Sequence, residues 1–308
     1  MRRRLIDLFA EGHGSEADRC DAKAALAELN GLHGKKDYNA RGGLRRIIDF
    51  RSSRRPCRPM PEGPSIVILK EQAGGFAGKQ IISVGGNTTI EKERLQGQRI
   101  EALRSWGKHF LVELPDFALR VHFMLFGSYR INESKSWAVP RLSLSFPNGE
   151  LNLYACSVRF IEEPLDLVYD WWADVMSAHW DPKLALQRLR AQPDTLVCDA
   201  LLDQDIFAGV GNIIKNEVLF RIRVHPLSTL GALPAKKLRE LVDEARRYSF
   251  EFYEWKKQYV LKKHWLVHTK RTCPRCQIPL KKAHLGKTHR RSFFCENCQL
   301  LYANEPVS

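Results

Sequence analysis

Four cysteines near the end of the chain have the spacing of a metal site. Cys273 and Cys276 form one C-x-x-C pair, Cys295 and Cys298 form a second, and residues 277–294 separate the pairs. Both sulfurs of such a pair can reach one ion, so four thiolates would surround the metal tetrahedrally and leave no open position for water. The pattern predicts one structural Zn²⁺ in a small finger, whose intervening segment favours a β-hairpin.

A glycine-containing turn farther up the chain has the residues needed to bind an anion. Gly209 and Gly211 precede Asn212, where an apolar helical pattern begins. Glycines let backbone N–H groups approach a phosphate, the helix N-terminus adds partial positive charge, and the amide of Asn212 can donate as well. We therefore expect Asn212 to contact phosphate, although the pattern alone is equally typical of a tight turn between two helices.

The charge balance of the chain favours a polyanionic partner. Its 308 residues include 49 Lys and Arg against 35 Asp and Glu, a formal net charge of +14 that favours nucleic acid over a membrane surface. No apolar run approaches the roughly 18 residues that a membrane span needs, and no secretory signal pattern is visible. We expect a soluble cytoplasmic protein with no membrane partner.

The spacing of apolar residues predicts an α+β, multidomain fold. Residues 60–175 contain short runs rich in Val, Leu, Ile and Phe, separated by Pro, Gly, Asp and Asn, as in an antiparallel β-sandwich. Residues 176–262 change to the i, i+3, i+4 spacing of helices, and residues 263–302 carry the four cysteines. The predicted strands are Ile81–Val84, His109–Leu114, Phe117–Phe123, Arg141–Phe146 and Glu150–Ala155, and the predicted helices are Ser65–Glu71, Pro182–Arg190, Asp194–Leu202, Ile213–Phe220 and Ala235–Trp255.

The first 59 residues differ in composition from the rest of the chain. The stretch Arg51–Pro59 is basic and broken by proline, unlike a packed element, and one helix is expected around Ala22–Leu29. We expect residues 1–59 to be a poorly ordered or non-native extension.

Met60–Pro64, with the sequence MPEGP, resembles the N-terminus of the formamidopyrimidine-DNA glycosylase and endonuclease VIII family. Three further features resemble the same family in the same order: Gly107–Lys108, the glycine turn ending at Asn212, and Arg290 five residues before Cys295. The resemblance covers about residues 60–302. It implies a β-sandwich, a helix–two-turns–helix domain and a zinc finger, and it points to bacterial endonuclease VIII-like enzymes. We expect a monomer that acts on damaged double-stranded DNA in the cytoplasm, associated with the nucleoid.

The resemblance also implies a chemistry for four residues. The amine of an N-terminal Pro61 would attack C1′ of the damaged nucleotide, and Glu62 would act as general acid on the sugar ring oxygen. Lys108 would contact phosphate and assist catalysis, and Arg290 would bind the phosphates that flank the lesion. One site would then excise the base and cut the strand by β-elimination, with δ-elimination as a further step.

Three large apolar residues could fill the gap that an extruded base leaves in the DNA. Met124, Leu125 and Phe126 follow the predicted strand Phe117–Phe123 in what the pattern predicts is a loop, and the resembling endonuclease VIII enzymes carry a contiguous wedge there. The alternative is that these residues pack in the sandwich core. Two departures bear on DNA contacts: residues 170–177 lack an arginine that those enzymes use for phosphate, and Met124 replaces a polar residue.

Pro61 can form an iminium only as the first residue of the chain, because an internal proline is a tertiary amide without a basic nitrogen. We therefore expect Met60 to be the true start and to be removed. Oxidised pyrimidines are the favoured substrates, since the wedge residues are contiguous, and oxidised purines such as 8-oxoguanine remain the alternative. If Pro61 stays internal, a non-catalytic, zinc-containing DNA-binding protein is the competing interpretation.

Overall fold

The structure is a computed structural model and describes residues 61–303. The extension expected at residues 1–59, its helix at Ala22–Leu29, and Met60 lie outside the described residues. Within 61–303, no helix combines the length and apolar character that crossing a membrane requires.

The first part of the described chain is one helix and an antiparallel sheet. Helix α1 begins directly after Glu62, and Pro64 in its first turn suits a position where no backbone N–H is needed. Two hairpins follow along the chain, β2–β3 and β5–β6, with β4 between them. The bounds are α1 (Gly63–Gln72), β1 (Ser83–Gly85), β2 (Ala102–Trp106), β3 (His109–Glu113), β4 (Ala118–Ile131), β5 (Leu142–Phe146) and β6 (Gly149–Ile161).

The six strands hydrogen-bond in the order β1-β5-β6-β4-β3-β2, and each pair is antiparallel. Strands from opposite ends of that order bury side chains in one apolar cluster, with Phe110 of β3 and Leu144 of β5 both fully buried in it. The sheet therefore folds over a shared core, and the predicted antiparallel sandwich and α+β class are confirmed.

The second part is helical and contains its own apolar core. Helix α3 begins after Asp181, whose side chain accepts from the backbone N–H of Lys183 and caps the helix. Helix α4 is shorter than the predicted Asp194–Leu202, because Leu196 is extended and bridges to Thr229. The bounds are α2 (Leu165–Val168), α3 (Pro182–Arg190), α4 (Val197–Ala200), α5 (Asn212–Arg221) and α6 (Ala235–Lys257).

A two-stranded hairpin forms the last part, as predicted between the cysteine pairs. Strand β7 (Lys281–Leu285) pairs antiparallel with β8 (Arg290–Phe294), and residues 286–289 connect them. We call β7, β8 and this connection the finger hairpin. It packs against α5, the helix that follows the glycine turn.

Candidate active site and metal centre

Three glycines let three separate segments meet at backbone contact. The N–H of Gly63 donates to the carbonyl of Gly209 at 2.8 Å, and a Cβ atom on Gly63 would lie 2.8 Å from the Cα of Gly209. A Cβ atom on Gly107 would lie 3.0 Å from the nitrogen of Gly209. The φ angles of Gly107 and Gly209 are 53° and 99°, which also favour glycine. The segments that meet here carry Glu62, Lys108 and Asn212.

The carboxylate of Glu62 occupies the N-terminus of α5. Its Oε1 accepts from the N–H of Ile213 at 2.7 Å, and its Oε2 accepts from the N–H of Ile214 at 3.2 Å. A Cβ atom on Gly211 would lie 2.5 Å from the Cδ of Glu62, so glycine is needed there. The glycine turn was expected to offer its backbone donors to a phosphate. The structure differs, because the protein's own carboxylate already accepts two of them.

Burial shifts the pKa values of Glu62 and Lys108, the two charged groups at the place where the three segments meet. Glu62 is 1% exposed, and burial raises the pKa of its carboxyl against the opposing effects of Lys108 and the backbone N–H donors. Burial lowers the pKa of the Lys108 amine, the carboxylate of Glu62 opposes that shift, and the positive charge of Arg290 adds to it. The two shifts bring the pKa values of the acid and the amine toward each other, as is common where groups exchange protons.

Pro61 directly precedes the buried carboxylate. It is partly exposed, whereas Glu62 and the start of α1 are buried. The chain therefore passes within one residue from the surface to the place where the three segments meet. The predicted nucleophile is therefore the direct neighbour in the chain of the predicted general acid, whose charge acts on Lys108.

Asp174 fixes the turn that presents Lys108. Its Oδ2 accepts from the N–H of Gly107 at 3.0 Å, and its Oδ1 accepts from the N–H of Met176 at 2.8 Å. Burial raises the pKa of Asp174 to about 6. This carboxyl holds the β2–β3 turn against the helical part of the protein.

Arg290 and Arg291 point in different directions from the finger hairpin. Arg290, the first residue of β8, is exposed, and its charge lowers the pKa of both Lys108 and Lys215. Arg291 is partly buried, and its carbonyl accepts from the Nδ2 of Asn212 at 2.9 Å. Arg290 is therefore the arginine within electrostatic reach of Lys108. Asn212 is 6% exposed, and its side-chain amide donates to the finger hairpin. The phosphate contact expected of Asn212 stays a prediction.

Glu217 anchors the segment that leads into the finger. Its Oε1 accepts from the backbone N–H groups of Val267 at 3.0 Å and His268 at 2.8 Å, and its Oε2 accepts from Leu266 at 2.9 Å. The side chain is fully buried, and burial raises the pKa of its carboxyl. The first N–H groups of helix α5 thus bind Glu62, and the side chain of Glu217, later in the same helix, binds the segment that leads into the finger.

The predicted wedge residues lie on an irregularity within β4. The pairing of β4 with β6 shifts register between Phe123 and Ser128, so the prediction of a loop after the strand is wrong. The strand continues to Ile131, because its pairing with β6 resumes after the bulge. Met124 is 56% exposed and Leu125 is 42% exposed, while Phe126 is partly buried.

The four paired cysteines lie close enough together to share one metal ion. The sulfur atoms of Cys273, Cys276, Cys295 and Cys298 all lie within 4.8 Å of one another, and those of Cys273 and Cys298 are 3.8 Å apart. Tetrahedral Zn–S bonds of about 2.3 Å require sulfurs about 3.8 Å apart, so the residues fit such an ion. The set is all thiol, which favours a soft or borderline metal in a closed site.

Sequence reasoning assigned no role to several residues that build this region. Asp174, Lys215, Asn216 and Glu217 are all buried and polar, and each bonds to another segment. The available signal was three consecutive polar residues, 215–217, inside a helix whose neighbours are apolar. Such residues are expected to have partners, because an unpaired buried polar group is costly.

Two family models match the chain. The formamidopyrimidine-DNA glycosylase N-terminal domain matches residues 60–160, and the formamidopyrimidine-DNA glycosylase H2TH domain matches residues 173–248. The first covers the sheet and the second covers α3 to most of α6. Their order is the order of the two parts described above.

Curated relatives match over long stretches. The endonuclease 8-like 2 protein of Homo sapiens is 31% identical over 294 residues, which cover 89% of this chain and 84% of that protein. The endonuclease 8-like 3 protein of Mus musculus is 30% identical over 211 residues, 66% of this chain. The chain spans only 35% of that mouse protein and 38% of its Xenopus laevis counterpart.

Solved structures share the fold. A viral DNA glycosylase superimposes with a TM-score of 0.69 at 19% identity, covering 78% of this chain and 100% of that one. The formamidopyrimidine-DNA glycosylase of Lactococcus lactis, bound to DNA containing an AP site, gives 0.68 at 23% identity, covering 77% and 99%. These structures share the fold, and the two family models together with the human relative show that the chain belongs to the formamidopyrimidine-DNA glycosylase and endonuclease VIII family of DNA glycosylases.

Proposed function

We propose that the chain is a bifunctional DNA glycosylase and AP lyase of base excision repair. The observation that carries this proposal is the position of Glu62. The residue next to Pro61 is a buried carboxyl with a raised pKa, bonded to the start of α5 and within electrostatic reach of Lys108. That arrangement supplies an acid and a cation directly beside a candidate amine nucleophile.

The nucleophile is the secondary amine of Pro61 in a chain that begins at that residue. An α-amine titrates near about 7.7–8.0, so a useful fraction is unprotonated at neutral pH. Its lone pair attacks C1′ of the nucleotide, and the bond from C1′ to the base breaks. Opening of the sugar ring then leaves an iminium between the proline nitrogen and C1′.

Glu62 and Lys108 act on the sugar and its phosphate. Glu62 gives its proton to the ring oxygen, O4′, so that the ring opens without building a free alkoxide. Burial supports this role, because it raises the pKa of the Glu62 carboxyl and so makes its protonation easier than that of an exposed glutamate. Lys108 contacts phosphate and stabilises the charge that develops there.

The iminium makes strand cleavage possible at the same site. It acidifies the C2′ hydrogens; loss of one as a proton sends an electron pair toward the iminium, and the C3′–O bond breaks in β-elimination. A second proton loss, at C4′, breaks the C5′–O bond in δ-elimination. Arg290 binds the flanking phosphates, one of which leaves in each step.

DNA binding places the damaged base outside the helix stack. Met124, Leu125 and Phe126 fill the vacated step, and the exposure of Met124 and Leu125 supports this role. Asn212 adds a phosphate contact at the start of α5. The likeness in fold to a DNA-bound glycosylase supports a DNA partner. The chain from residue 60 onward carries a formal net charge of +8, which also favours a polyanion.

One structural Zn²⁺ holds the finger that carries Arg290. The four thiolates of the paired cysteines would bind it, and no position would remain for water. Such an ion would supply folding energy to the finger and would take no part in bond breaking.

Oxidised pyrimidines are the favoured substrates, since the relatives found are endonuclease 8-like proteins and the wedge is contiguous. Rates of excision from duplexes that contain thymine glycol and from duplexes that contain 8-oxoguanine test this preference. Faster excision of 8-oxoguanine would contradict it.

Borohydride trapping on abasic-site DNA tests the proposed chemistry. Protein that begins at Pro61 should form a covalent adduct, because borohydride reduces the iminium to a stable amine. Protein that retains residues 1–60, with its mass verified, should form none. Equal trapping by the two forms would overturn the role of Pro61, and no adduct from either would favour a non-catalytic DNA-binding protein.

A further inference from the structure

Lys215 is buried between α5 and the finger hairpin. It is 1% exposed, its Nζ donates to the Oγ of Ser292 at 2.8 Å, and it makes a longer contact of 3.5 Å with the carbonyl oxygen of Arg291. Burying an ammonium group is unfavourable unless it is hydrogen-bonded. Both of its acceptors belong to β8, so the lysine binds the finger hairpin.

The carbonyl of Arg291 is the common acceptor of three side chains of α5. Asn212 donates to it at 2.9 Å, Asn216 at 3.3 Å and Lys215 at 3.5 Å. A carbonyl oxygen has two lone pairs, so three donors saturate it, and the ammonium contribution is charge-assisted. Because the donors share one helix, they fix both the position and the direction of this peptide unit.

A second contact holds the finger hairpin on the other side of Arg290. The carboxylate of Asp199, on α4, accepts from the N–H of Lys287 at 2.9 Å and from the N–H and Oγ1 of Thr288 at 3.3 and 3.2 Å. The turn also requires Gly286, where a Cβ atom would lie 2.3 Å from the Oδ1 of Asp199. Arg290 therefore lies between two segments that the helical part holds in place.

We propose that Lys215 is a positioning residue that holds the Arg291 carbonyl and thereby aims the Arg290 guanidinium at the junction of Glu62 and Lys108. The inference rests on the proposed function, in which Arg290 binds the phosphates flanking the lesion. The charge of Arg290 lowers the pKa of both Lys108 and Lys215, so the guanidinium lies within electrostatic reach of each. A shift of the hairpin would move Arg290 away from the site without changing any group that touches DNA.

A double-mutant cycle on DNA affinity tests this arrangement. The dissociation constant for a duplex carrying a tetrahydrofuran abasic analogue is measured for wild type, Lys215→Met, Arg290→Ala and the double variant. Each single change should weaken binding roughly tenfold, as loss of a charge-assisted contact does. In the Arg290→Ala background, Lys215→Met should add less than about twofold, because its effect passes through Arg290.

Two further variants separate positioning from general damage. Ser292→Ala removes the 2.8 Å acceptor of Lys215 and should weaken binding in the same direction by a smaller factor. Lys237→Met is the matched control, since Lys237 also donates to a backbone carbonyl, that of Ile222 at 2.8 Å, but neither of its partners, Ile222 and Glu240, belongs to the finger hairpin. The control should leave DNA affinity unchanged.

Losses that simply add in the double variant, or an unchanged affinity for Lys215→Met, would overturn the inference. The rate of strand cleavage is measured on the same four proteins and should show the same coupling. If the parent protein that begins at Pro61 traps no borohydride adduct, yet shows the coupling in affinity, the proposed chemistry is removed and the role of Lys215 stands.

Discussion

The core of the sheet and the junction of α5 with the finger hairpin are both buried, but their chemistry is opposite. The sheet core consists of apolar side chains such as Phe110 and Leu153, which touch one another across folded-over strands. The contact of α5 with the finger hairpin buries Lys215, Asn216 and Glu217 just as deeply, and each is hydrogen-bonded to a residue outside α5.

The difference shows what each kind of interior contributes. Apolar packing is non-directional and gives stability in proportion to the area buried. Buried hydrogen bonds are directional, so they select one placement of the segments they join and penalise any other. The sheet core therefore stabilises the protein, while the polar junction sets where the finger, and with it Arg290, lies.

Metal removal should have the largest effect, and that effect should be confined to the finger and its contact with α5. Structural zinc contributes on the order of 10 kcal/mol to the folding of isolated fingers, and the hairpin has little apolar core of its own. After chelation, hydrogen exchange of amides in residues 271–303 should lose its protection, while amides of β3–β6 keep theirs. Finger amides that stay protected in metal-free protein would show that the polar contacts alone suffice.

Truncating a side chain in the sheet core should lower stability without affecting the site. Leu153→Ala, in β6, should reduce the free energy of unfolding by about 3 to 4 kcal/mol, because it leaves a cavity at a fully buried position. Urea unfolding measures the loss, and Val139→Ala, at a 68% exposed position, is the control and should change little. DNA affinity of the folded variant should equal that of wild type.

Removing the Glu217 carboxylate should lower stability as well, but it should also affect the site. Glu217→Ala leaves three backbone N–H groups, those of Leu266, Val267 and His268, without their acceptor and should cost about 3 kcal/mol. The finger should then detach more readily, so protease cleavage near residues 260–270 should become faster and DNA affinity should become weaker. Glu254→Ala, at an exposed position on α6, is the control. Unchanged affinity in Glu217→Ala would contradict a positioning role for the junction.

The pH dependence of stability should reveal the buried charge at the junction. Burial lowers the pKa of Lys215 from 10.5 to about 8. Between those values the unfolded chain still holds a proton that the folded chain has released, so folding stability rises with pH across this window. The titratable and charged groups that act on Lys215, or on which it acts, are Cys198 and Asp199 on α4, Glu62 before α1, Arg290 on β8, and His268.

Lys215→Met should lack that rise. Relative to the variant, wild type should gain about 2 kcal/mol between about pH 8 and pH 10, as measured by urea unfolding at several pH values. Parallel curves for the two proteins would mean that the lysine keeps its proton throughout the range.

Local patterns predicted an element correctly where its ends depend on residues that are close together in the sequence. The helix Pro182–Arg190 and the strand start at His109 agree with the structure, because proline, caps and apolar period act within a few residues. Strand β2 (Ala102–Trp106) was not predicted, since its residues are all half-buried and mix charge with apolar character. It forms because it pairs with β3 across the turn at Gly107.

The site was predictable in its members but less so in its geometry. The spacing of the cysteines was sufficient to bring four sulfurs together, because each pair is local. The bond from Ile213 to Glu62 joins residues 151 positions apart, and it depends on the backbone contact of Gly63, Gly107 and Gly209. No local pattern encodes such a meeting of three turns.

Mapping the trapped adduct is the most direct test of the central claim, that Pro61 is the nucleophile. Protein that begins at Pro61 is reduced with borohydride on abasic-site DNA, digested, and analysed by mass spectrometry. The account predicts that the DNA remnant is attached to the N-terminal peptide, on the nitrogen of Pro61. Attachment to Lys108 or to any other lysine, with the Pro61 peptide unmodified, would contradict it.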